Sequence, residues 1–313
     1  PSLVIVSTPP DVADICVVDA LIRYPEAVVS DVASVKLAVL EGVVEEAERR
    51  GLDITSRYVG SHPMAGRERS GAGAADADLF YGRPWVIVPS PTSSPDAVMR
   101  IRSLAGDVGA FPIEMDASTH DQSVALISHV PQLVSSMLAA RLADAPVSAL
   151  SLSGQGLRDT TRIAASDPRL WTAILAGNAG PVVKVLKDIR GDLDDLISHL
   201  DAAAQQGPLE GGSVGAVYRV MDQGNRGVAR IPGKHGGAPR RYVVLDVFVP
   251  DTAGSLGRLF ADLGEIGVNI EDFALEHSAG AQMGVARLSL DPSIVASTIC
   301  QLQERGWNTG SGD

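Results

Sequence analysis

Short apolar runs alternate with helical stripes over the first 118 residues. Five such runs predict buried strands, at residues 3–6, 27–30, 57–60, 85–88 and 111–114. Helical sequence lies between them: one stretch is stopped by Pro25, and another reaches Gly51, a natural helix C-cap. Strands that alternate with helices predict an α/β domain with a mostly parallel sheet.

From His120 onward the pattern is helical. The clearest helix runs over residues 181–200, where apolar residues recur at steps of three and four: Val182, Val185, Leu186, Ile189, Leu193, Leu196, Ile197 and Leu200. A stripe this long needs a partner, in the same chain or in a second one. Residues 207–241 are rich in Gly, Pro and Arg, and we predict irregular structure and a linker there.

A second, smaller unit with strands and helices follows. Alternation at 243–249 predicts a strand, and the stripe at 256–266 predicts a helix that stops at Gly267. Strands are predicted to start at 269–270 and to run over 284–290, and Pro292 opens a last helix. The predicted order is strand, helix, strand, strand, helix.

Composition narrows the classes of partner. The net charge is −12, so neither nucleic acid nor an anionic membrane surface is favoured. No apolar stretch is expected to reach the ~18 residues that a membrane span needs. The two cysteines, Cys16 and Cys300, are far apart, which favours buried reduced thiols in a cytoplasmic protein over a disulfide.

The candidate chemistry centres on His62, in the segment Ser-His-Pro-Met-Ala-Gly that follows a predicted strand. The following proline restricts the backbone, so the imidazole can be aimed. A second group, His120, Asp121, His129 and Gln132, falls on one helical stretch. We predict helix–helix hydrogen bonds there rather than a metal site, since no third ligand has suitable spacing.

The motifs together carry a family resemblance. They are STPP (7–10), SDVASVK (30–36), GSHPMAG (60–66), GRPWVIVP (82–89), THD with SHVPQ (119–132), GLRDTTRIAASDP (156–168) and VPDTAGSLGRLFADLGEIGVNIED (249–272). In this order and spacing the chain resembles the prephenate dehydrogenases that carry a C-terminal ACT domain.

The resemblance implies three parts. These are a truncated Rossmann-type nucleotide-binding domain (1–118), an all-helical substrate and dimerisation domain (119–232), and a ferredoxin-like α+β ACT regulatory domain (240–313). It further implies a cytoplasmic homodimer that oxidatively decarboxylates prephenate to 4-hydroxyphenylpyruvate, with hydride transfer to NAD or NADP. Arogenate dehydrogenase, whose substrate bears an amino group on the side chain, resembles this family equally.

Residue roles also follow from the resemblance. It makes His62 the catalytic proton acceptor, with Ser34 as an orienting hydrogen bond. It assigns substrate binding to Arg162, Arg158, Gln132, His129 and Asp121. It assigns cofactor binding to Ser7, Thr8, Pro9, Asp31 and Ser34. The competing structural interpretations are a helix N-terminal hydroxyl for Ser34 and surface arginines bonded to Asp159 or Asp167 for Arg158 and Arg162.

The chain departs from the family pattern in two ways. The family's Gly-rich phosphate turn is absent, and the first strand corresponds to about the fourth strand of the full domain, which suggests a truncated N-terminus. Gln132 stands where many relatives have a second histidine. The missing turn also leaves a non-catalytic amino-acid sensor as an alternative, although such a protein would not need His62 and Arg162.

The resemblance places a regulatory site in the last unit, at Asp251, Gly254 and Asn269. A glycine lets the loop backbone approach a ligand closely, and the free N–H groups at a helix start suit a carboxylate. Tyrosine or another aromatic amino acid is the effector that this site would bind. The alternative is that Gly254 only permits the turn and that the module stiffens the dimer.

Overall fold

The structure, a computed structural model, describes residues 1–52, 55–66, 75–208, 211–232, 242–277 and 282–311. It divides into two compact units. The first comprises Pro1–Arg141 and Thr161–Gly191, and the second comprises Leu142–Thr160 and Asp192–Asp313.

Strands and helices alternate in the N-terminal part of the first unit. They are β1 (Leu3–Val6), α1 (Pro10–Arg23), β2 (Val28–Asp31), α2 (Leu37–Arg49), β3 (Val59–Pro63), β4 (Pro84–Pro89), α3 (Pro95–Asp107) and β5 (Phe111–Glu114). All five predicted strands are confirmed, with boundary shifts of up to a few residues.

The sheet is mostly parallel, as predicted. β1 pairs with β2 in parallel, a parallel bridge joins Val29 to Tyr58 just before β3, and β4 pairs with β5 in parallel. The exception is the antiparallel pair of β3 and β4. Because β1, β2 and β3 run the same way, Ser7, Asp31 and His62 all lie at the carboxyl ends of neighbouring strands. In open α/β sheets this edge is where ligands bind.

A buried ion pair fixes the loop that follows β2. Asp31 is fully buried and accepts hydrogen bonds from the Lys36 ammonium, from the Tyr58 hydroxyl and from the Ala33 amide. Lys36 also donates to the Ser61 carbonyl on β3. Burial is the largest influence on Lys36 and lowers its pKa, while the Asp31 charge opposes that shift.

The helical part of the first unit begins beyond β5. It contains α4 (Ala117–Val124), a π-helical turn (Ala125–His129), α5 (Val130–Ala140), a 3₁₀ turn (Arg162–Ala164), α8 (Pro168–Gly177) and the start of α9 (Ala179–Gln206). Val182 of α9 is buried against Ala125 and Val130. The N-terminal part of the predicted stripe therefore packs within this unit.

Among the described residues, the continuous helical stretch Ala117–Ala140 is long and apolar enough, by length and composition alone, to cross a membrane. This corrects the expectation that no stretch would pass such a test. The core helix of a soluble protein passes it as well. Buried polar residues, including His120, Asp121 and His129, interrupt the stretch and have partners inside the unit.

The second unit contains α6 (Val147–Leu150), α7 (Gln155–Thr161, which continues into the first unit), the rest of α9 and α10 (Ser213–Val228). Helix α10 corrects the prediction of irregular structure throughout 207–241. Its glycines masked a helical pattern, and Arg219 pairs with Asp195 of α9 at 3.2 Å. Within the predicted linker, residues 209–210 and 233–241 lie outside the described residues.

The C-terminal part of this unit is a βαββαβ module. Its elements are β6 (Val243–Pro250), α11 (Ser255–Glu265), β7 (Asp272–His277), β8 (Met283–Leu290), α12 (Val295–Glu304) and β9 (Asn308–Ser311). The antiparallel sheet has the order β7-β8-β6-β9, which is ferredoxin-like. The predicted order of five elements is confirmed, and β9 was missed. Its sequence, Asn308-Thr309-Gly310-Ser311, lacks the apolar alternation that marks a strand.

The cysteines lie on two of these helices. Both are free: Cys16 on α1 is half-buried, and Cys300 on α12 is exposed. The two side chains do not form a disulfide with each other, and the prediction that both are buried is wrong.

The buried ion pair generates a prediction on stability. Asp31→Asn should lower the free energy of unfolding by about 3–5 kcal/mol, because it leaves the buried Lys36 ammonium without a counter-charge. Asp19→Asn is the control, since Asp19 is exposed beside Arg50 and such surface pairs contribute at most about 1 kcal/mol. Urea denaturation measures both. Equal losses in the two variants would contradict the structural role of Asp31.

Candidate functional site

A cavity of about 370 Å³ lies within the first unit. Four residues singled out from the sequence line it: Ser34, His62, His129 and Gln132. The rest of the wall is largely apolar, with Met64, Ile163, Leu170 and Trp171 among its residues. An apolar cleft with a few convergent polar groups is the usual form of a small-molecule site.

His62 reaches this cavity from β3. Alternation along the strand buries Ser61 fully on one side and leaves the neighbouring His62 half-buried on the other. His62 Nδ1 lies 2.9 Å from His120 Nε2. Burial, followed by the nearby His120, Lys36 and His129, holds the pKa of His62 well below its ordinary value of 6.5. The imidazole is therefore neutral near pH 7 and able to accept a proton.

The adjacent residues His120 and Asp121 connect this imidazole to α2. His120 is fully buried, and its Nδ1 lies 2.7 Å from Asp121 Oδ1. The Asp121 carboxylate also accepts the Lys36 and Leu37 amides, each at 2.9 Å. These amides are at the start of α2, so Asp121 caps a helix from a distant element. Asp121 is not among the residues that line the cavity. Its carboxylate is engaged by these protein donors and does not face a substrate.

The π-helical turn places His129 at the cavity wall. Eight residues of regular α-helix would leave His129 and Asp121 about 80° apart around the axis, and a wider π turn changes that angle. Asn178, fully buried, bridges the two residues through donation to the Asp121 carbonyl at 2.7 Å and to His129 Nδ1 at 3.0 Å. Burial lowers the pKa of His129 to about 4, which leaves a neutral ring whose proton is on Nε2.

Gln132 is buried at the cavity wall and held by the segment that follows Arg162. Its amide donates to the Ile163 carbonyl at 2.9 Å, and its oxygen accepts from the Ser166 hydroxyl at 3.5 Å. Because the Gln132 donor is engaged with the protein, the side chain is fixed rather than free to turn in the cavity.

The arginines singled out from the sequence are close to the site along the chain but are not among the lining residues. Arg162 is exposed, on the 3₁₀ turn just before Ile163, which does line the cavity. Arg158 is exposed on α7 and belongs to the second unit. Asp159 accepts a hydrogen bond from the Gln155 side chain, and Asp167 caps α8 by accepting from the Arg169 amide. The donors recorded for both carboxylates are therefore residues other than the predicted arginines.

The residues expected at the nucleotide edge lie where β1 and β2 end. Ser7 and Pro9 are exposed, and the Thr8 hydroxyl is buried without a hydrogen-bond partner among the described residues. Ser34 lies in the loop before α2 and lines the cavity, whereas the predicted N-cap position is occupied by Lys36. Asp31 is fully enclosed by Lys36 and its other partners, so it shapes this loop and does not reach the cavity.

Sequence reasoning did not identify Lys36, Asn178 and Trp171 as parts of the site. Trp171 stands edge-on to His129, with ring centroids 6.0 Å apart. Neither Asn178 nor Trp171 belongs to a periodic pattern that would distinguish it from ordinary helix residues. His120 was singled out from the sequence for helix–helix hydrogen bonds but not for its contact with His62.

The expected regulatory residues belong to the second unit. Gly254 precedes α11 with φ +88°, a conformation that favours glycine, although a Cβ added there would meet no other atom within 4 Å. The Asp251 amide donates to the Gln282 carbonyl, and the Asn269 side chain donates to Glu271. All three residues are exposed.

Two family models match the chain. The family model described as "Prephenate dehydrogenase, nucleotide-binding domain" matches residues 2–114, and that described as "Prephenate dehydrogenase, dimerization domain" matches residues 116–209. The first match covers the α/β part described above, which is therefore Rossmann-like, and the second covers the helices that complete the cavity.

Individual relatives agree with this. The Streptomyces niveus protein named "Probable prephenate dehydrogenase NovF" is 32% identical over 283 residues, covering 90% of this chain and 77% of that protein. The structure of Synechocystis arogenate dehydrogenase is 30% identical, with a TM-score of 0.57 over 72% of this chain and 78% of that one. The Aquifex aeolicus prephenate dehydrogenase solved with hydroxyphenyl propionate and NAD⁺ shares the fold, with 24% identity and a TM-score of 0.60 over 72% and 76% of the chains.

The two family models describe the nucleotide-binding domain and the dimerisation domain of prephenate dehydrogenases, and this chain matches both. The chain belongs to the prephenate dehydrogenase family.

The neutral histidines of the site generate a prediction on pH. The free energy of unfolding should fall as the pH drops below about 6.5. The unfolded chain then binds protons at histidines that the folded protein keeps neutral, His62 and His129. The loss approaches about 1.4 kcal/mol per pH unit for each such histidine. Urea denaturation at pH 7, 6 and 5 measures the slope.

The control separates this effect from general acid sensitivity. His129→Phe should reduce the slope between pH 6.5 and 5, because it removes one of the two histidines that the folded protein keeps neutral. A wild-type slope of zero in this range would contradict the neutral state of both His62 and His129.

Proposed function

We propose that the protein oxidatively decarboxylates prephenate to 4-hydroxyphenylpyruvate with NAD⁺ as the hydride acceptor, as a step of tyrosine biosynthesis. The observation that carries the proposal is the neutral His62 imidazole, presented at the wall of a largely apolar cavity beside Ser34. Oxidation at C4 of prephenate requires loss of the hydroxyl proton as the hydride leaves, and a neutral imidazole is suited to accept it.

The residues at the strand ends fit a nicotinamide cofactor. The buried Thr8 hydroxyl has no partner among the described residues, and it lies at the sheet edge where dinucleotides bind. Ser7, Thr8 and Pro9 would hold the cofactor together with Ser34, and Asp31 would act indirectly by fixing the loop through Lys36. When bound, the nicotinamide supplies the hydride acceptor, and NADP is the alternative form.

The chain's own residues bind and orient the substrate. His129 offers an Nε2–H donor, because Asn178 engages Nδ1. Gln132, fixed by Ile163, defines one wall. We assign the substrate carboxylate to Arg162, with Arg158 in support, since a guanidinium grips a carboxylate through two parallel hydrogen bonds. Arg162 lies one residue before the cavity lining, so this assignment requires the side chain to turn inward.

Arogenate is the second candidate substrate. The Synechocystis relative is an arogenate dehydrogenase, and arogenate differs from prephenate by an amino group in place of the keto group. Comparison of kcat/KM for the two substrates decides between them. A non-catalytic sensor is the remaining alternative, and the absence of turnover with either substrate would favour it.

The wider organisation is also a proposal. We infer a cytoplasmic homodimer with domains over 1–118, 119–232 and 240–313. The last of these is an ACT regulatory module, supported by its βαββαβ order and by Gly254 at the start of α11. Tyrosine, bound near Asp251, Gly254 and Asn269, is the effector that we assign to it.

The proposed role of His62 generates a prediction on turnover. His62→Asn should lower kcat by roughly 10²–10⁴-fold with little change in cofactor affinity, because it removes the proton acceptor and leaves the strand intact. Steady-state assays with prephenate measure kcat, and fluorescence titration measures cofactor binding. His199→Asn is the matched control. A His62→Asn variant that retains more than about a third of the wild-type kcat would remove His62 from the mechanism.

The proposed dimer generates a prediction on assembly. In the second unit the α9 stripe leaves Leu193, Ile197 and Leu200 about half exposed. Leu193→Asp should dissociate the dimer, because a charge on this face opposes burial against another helix. Sedimentation at micromolar concentration measures the assembly state. Ser198→Asp, which adds the same charge away from the stripe, should leave the dimer intact, and a wild-type monomer would contradict the proposal.

A further inference from the structure

His120 is a fully buried histidine to which the proposed reaction gives no role. Both of its ring nitrogens have partners: Nε2 lies 2.9 Å from His62 Nδ1, and Nδ1 lies 2.7 Å from Asp121 Oδ1. The two imidazoles meet edge to face, with centroids 5.1 Å apart and planes at 69°. The three side chains therefore form a continuous row that starts at the cavity and ends inside the protein.

The direction of each hydrogen bond in this row follows from its inner end. The Asp121 carboxylate accepts two backbone amides, from Lys36 and Leu37, and an ionised carboxylate can only accept. His120 must therefore donate from Nδ1, which leaves its Nε2 without a proton. His62 must then donate from Nδ1, which leaves the lone pair of His62 on Nε2.

This arrangement matters because a neutral imidazole carries its proton on either nitrogen. Only the form with a bare Nε2 can accept a proton at the nitrogen that is not engaged with His120. The charged and titratable groups around His62 are His120 and Asp121 on α4, His129 on the π turn, and Lys36 with its partner Asp31 beside β3. Apart from His120, none of these groups bonds a ring nitrogen of His62 in the part of the chain that the structure describes.

We propose that His120 and Asp121 are positioning residues that hold His62 in the tautomer whose Nε2 accepts the substrate proton. The proposal rests on the proposed function. It adds residues that do not touch the substrate but determine which nitrogen of His62 is basic. As the imidazole becomes charged, the Asp121 carboxylate stabilises it through the intervening His120 ring.

The proton balance of the reaction is consistent with a row that ends in the interior. The O–H bond at C4 breaks and its proton binds His62 Nε2, while the C4 hydrogen leaves as hydride. The bond from C1 to the ring carboxylate then breaks, its electron pair enters the ring, and CO₂ leaves. The oxygen at C4 becomes a phenolate and takes the proton back from His62. No net proton is released, so the site needs no route for one to solvent.

The test has a readout that is independent of activity. In the full chain labelled with ¹⁵N-histidine, the ring nitrogen shifts of His62 should report a proton on Nδ1 and a bare Nε2 at pH 7. A predominant Nε2–H form in the wild type would overturn the proposal, whatever the substrate proves to be. Turnover assays of the wild type decide the proposed function separately.

Variants connect the tautomer to catalysis. His120→Phe removes the acceptor for His62 and should lower kcat by ~10- to 100-fold with KM within about threefold, because the tautomers of His62 then mix. The His62 shifts should move toward those of mixed tautomers in the same variant. His120→Gln, whose amide can accept from His62, should recover part of kcat, and His199→Phe is the control. A His120→Phe enzyme with wild-type kcat and unchanged His62 shifts would overturn the proposal. If it does not fold, the wild-type shifts and the His120→Gln kcat decide.

Discussion

The Asp121 carboxylate is the contact on which the site depends. One of its oxygens accepts from both the Lys36 amide and His120 Nδ1, and the other accepts from the Leu37 amide. A single side chain thus caps α2, attaches α4 to it and orients the ring that faces His62. Because the group is buried, each of these bonds would cost about 1–3 kcal/mol if its partner were left unsatisfied.

Lys36, whose backbone amide donates to Asp121, is also fixed by its side chain. Lys36 donates to Asp31 at the end of β2 and to the Ser61 carbonyl next to His62. The loop that carries Ser34 is therefore fixed at both ends, and so is the strand that carries His62. The two buried carboxylates, Asp31 and Asp121, explain why a loop and a strand end can present their polar groups to one cavity without freedom to drift.

Much of the fold could be predicted from the chain because the pattern of buried positions is local. Each strand of the first sheet was visible as an apolar run, and the α9 stripe was visible at helical spacing. Helix α10 was missed since its glycines resemble a linker, and β9 was missed because it has little apolar alternation. Both are held by partners distant in sequence, Asp195 for α10 and β6 for β9.

The residues of the site could be predicted from sequence motifs, but their hydrogen-bond partners could not. Ser34, His62, His129 and Gln132 stand in recognisable motifs, and the structure brings all four to one cavity. Asp31 and Asp121 stand in equally recognisable motifs, but their burial gives them structural partners instead of a place at the wall. Whether a carboxylate faces a ligand or a helix end depends on contacts between residues as far apart as Lys36 and Asp121, which no spacing within the motif encodes.

The role of Asp121 is tested most directly by the stability and kcat of Asp121→Asn, measured on one preparation. An amide at this position keeps the shape but cannot accept all three hydrogen bonds, because its NH₂ group meets a backbone or ring donor. We expect the free energy of unfolding to fall by about 1–3 kcal/mol, and kcat to fall with it at a temperature where the variant is fully folded. A folded variant with wild-type kcat would contradict the claim that Asp121 sets the chemistry of His62.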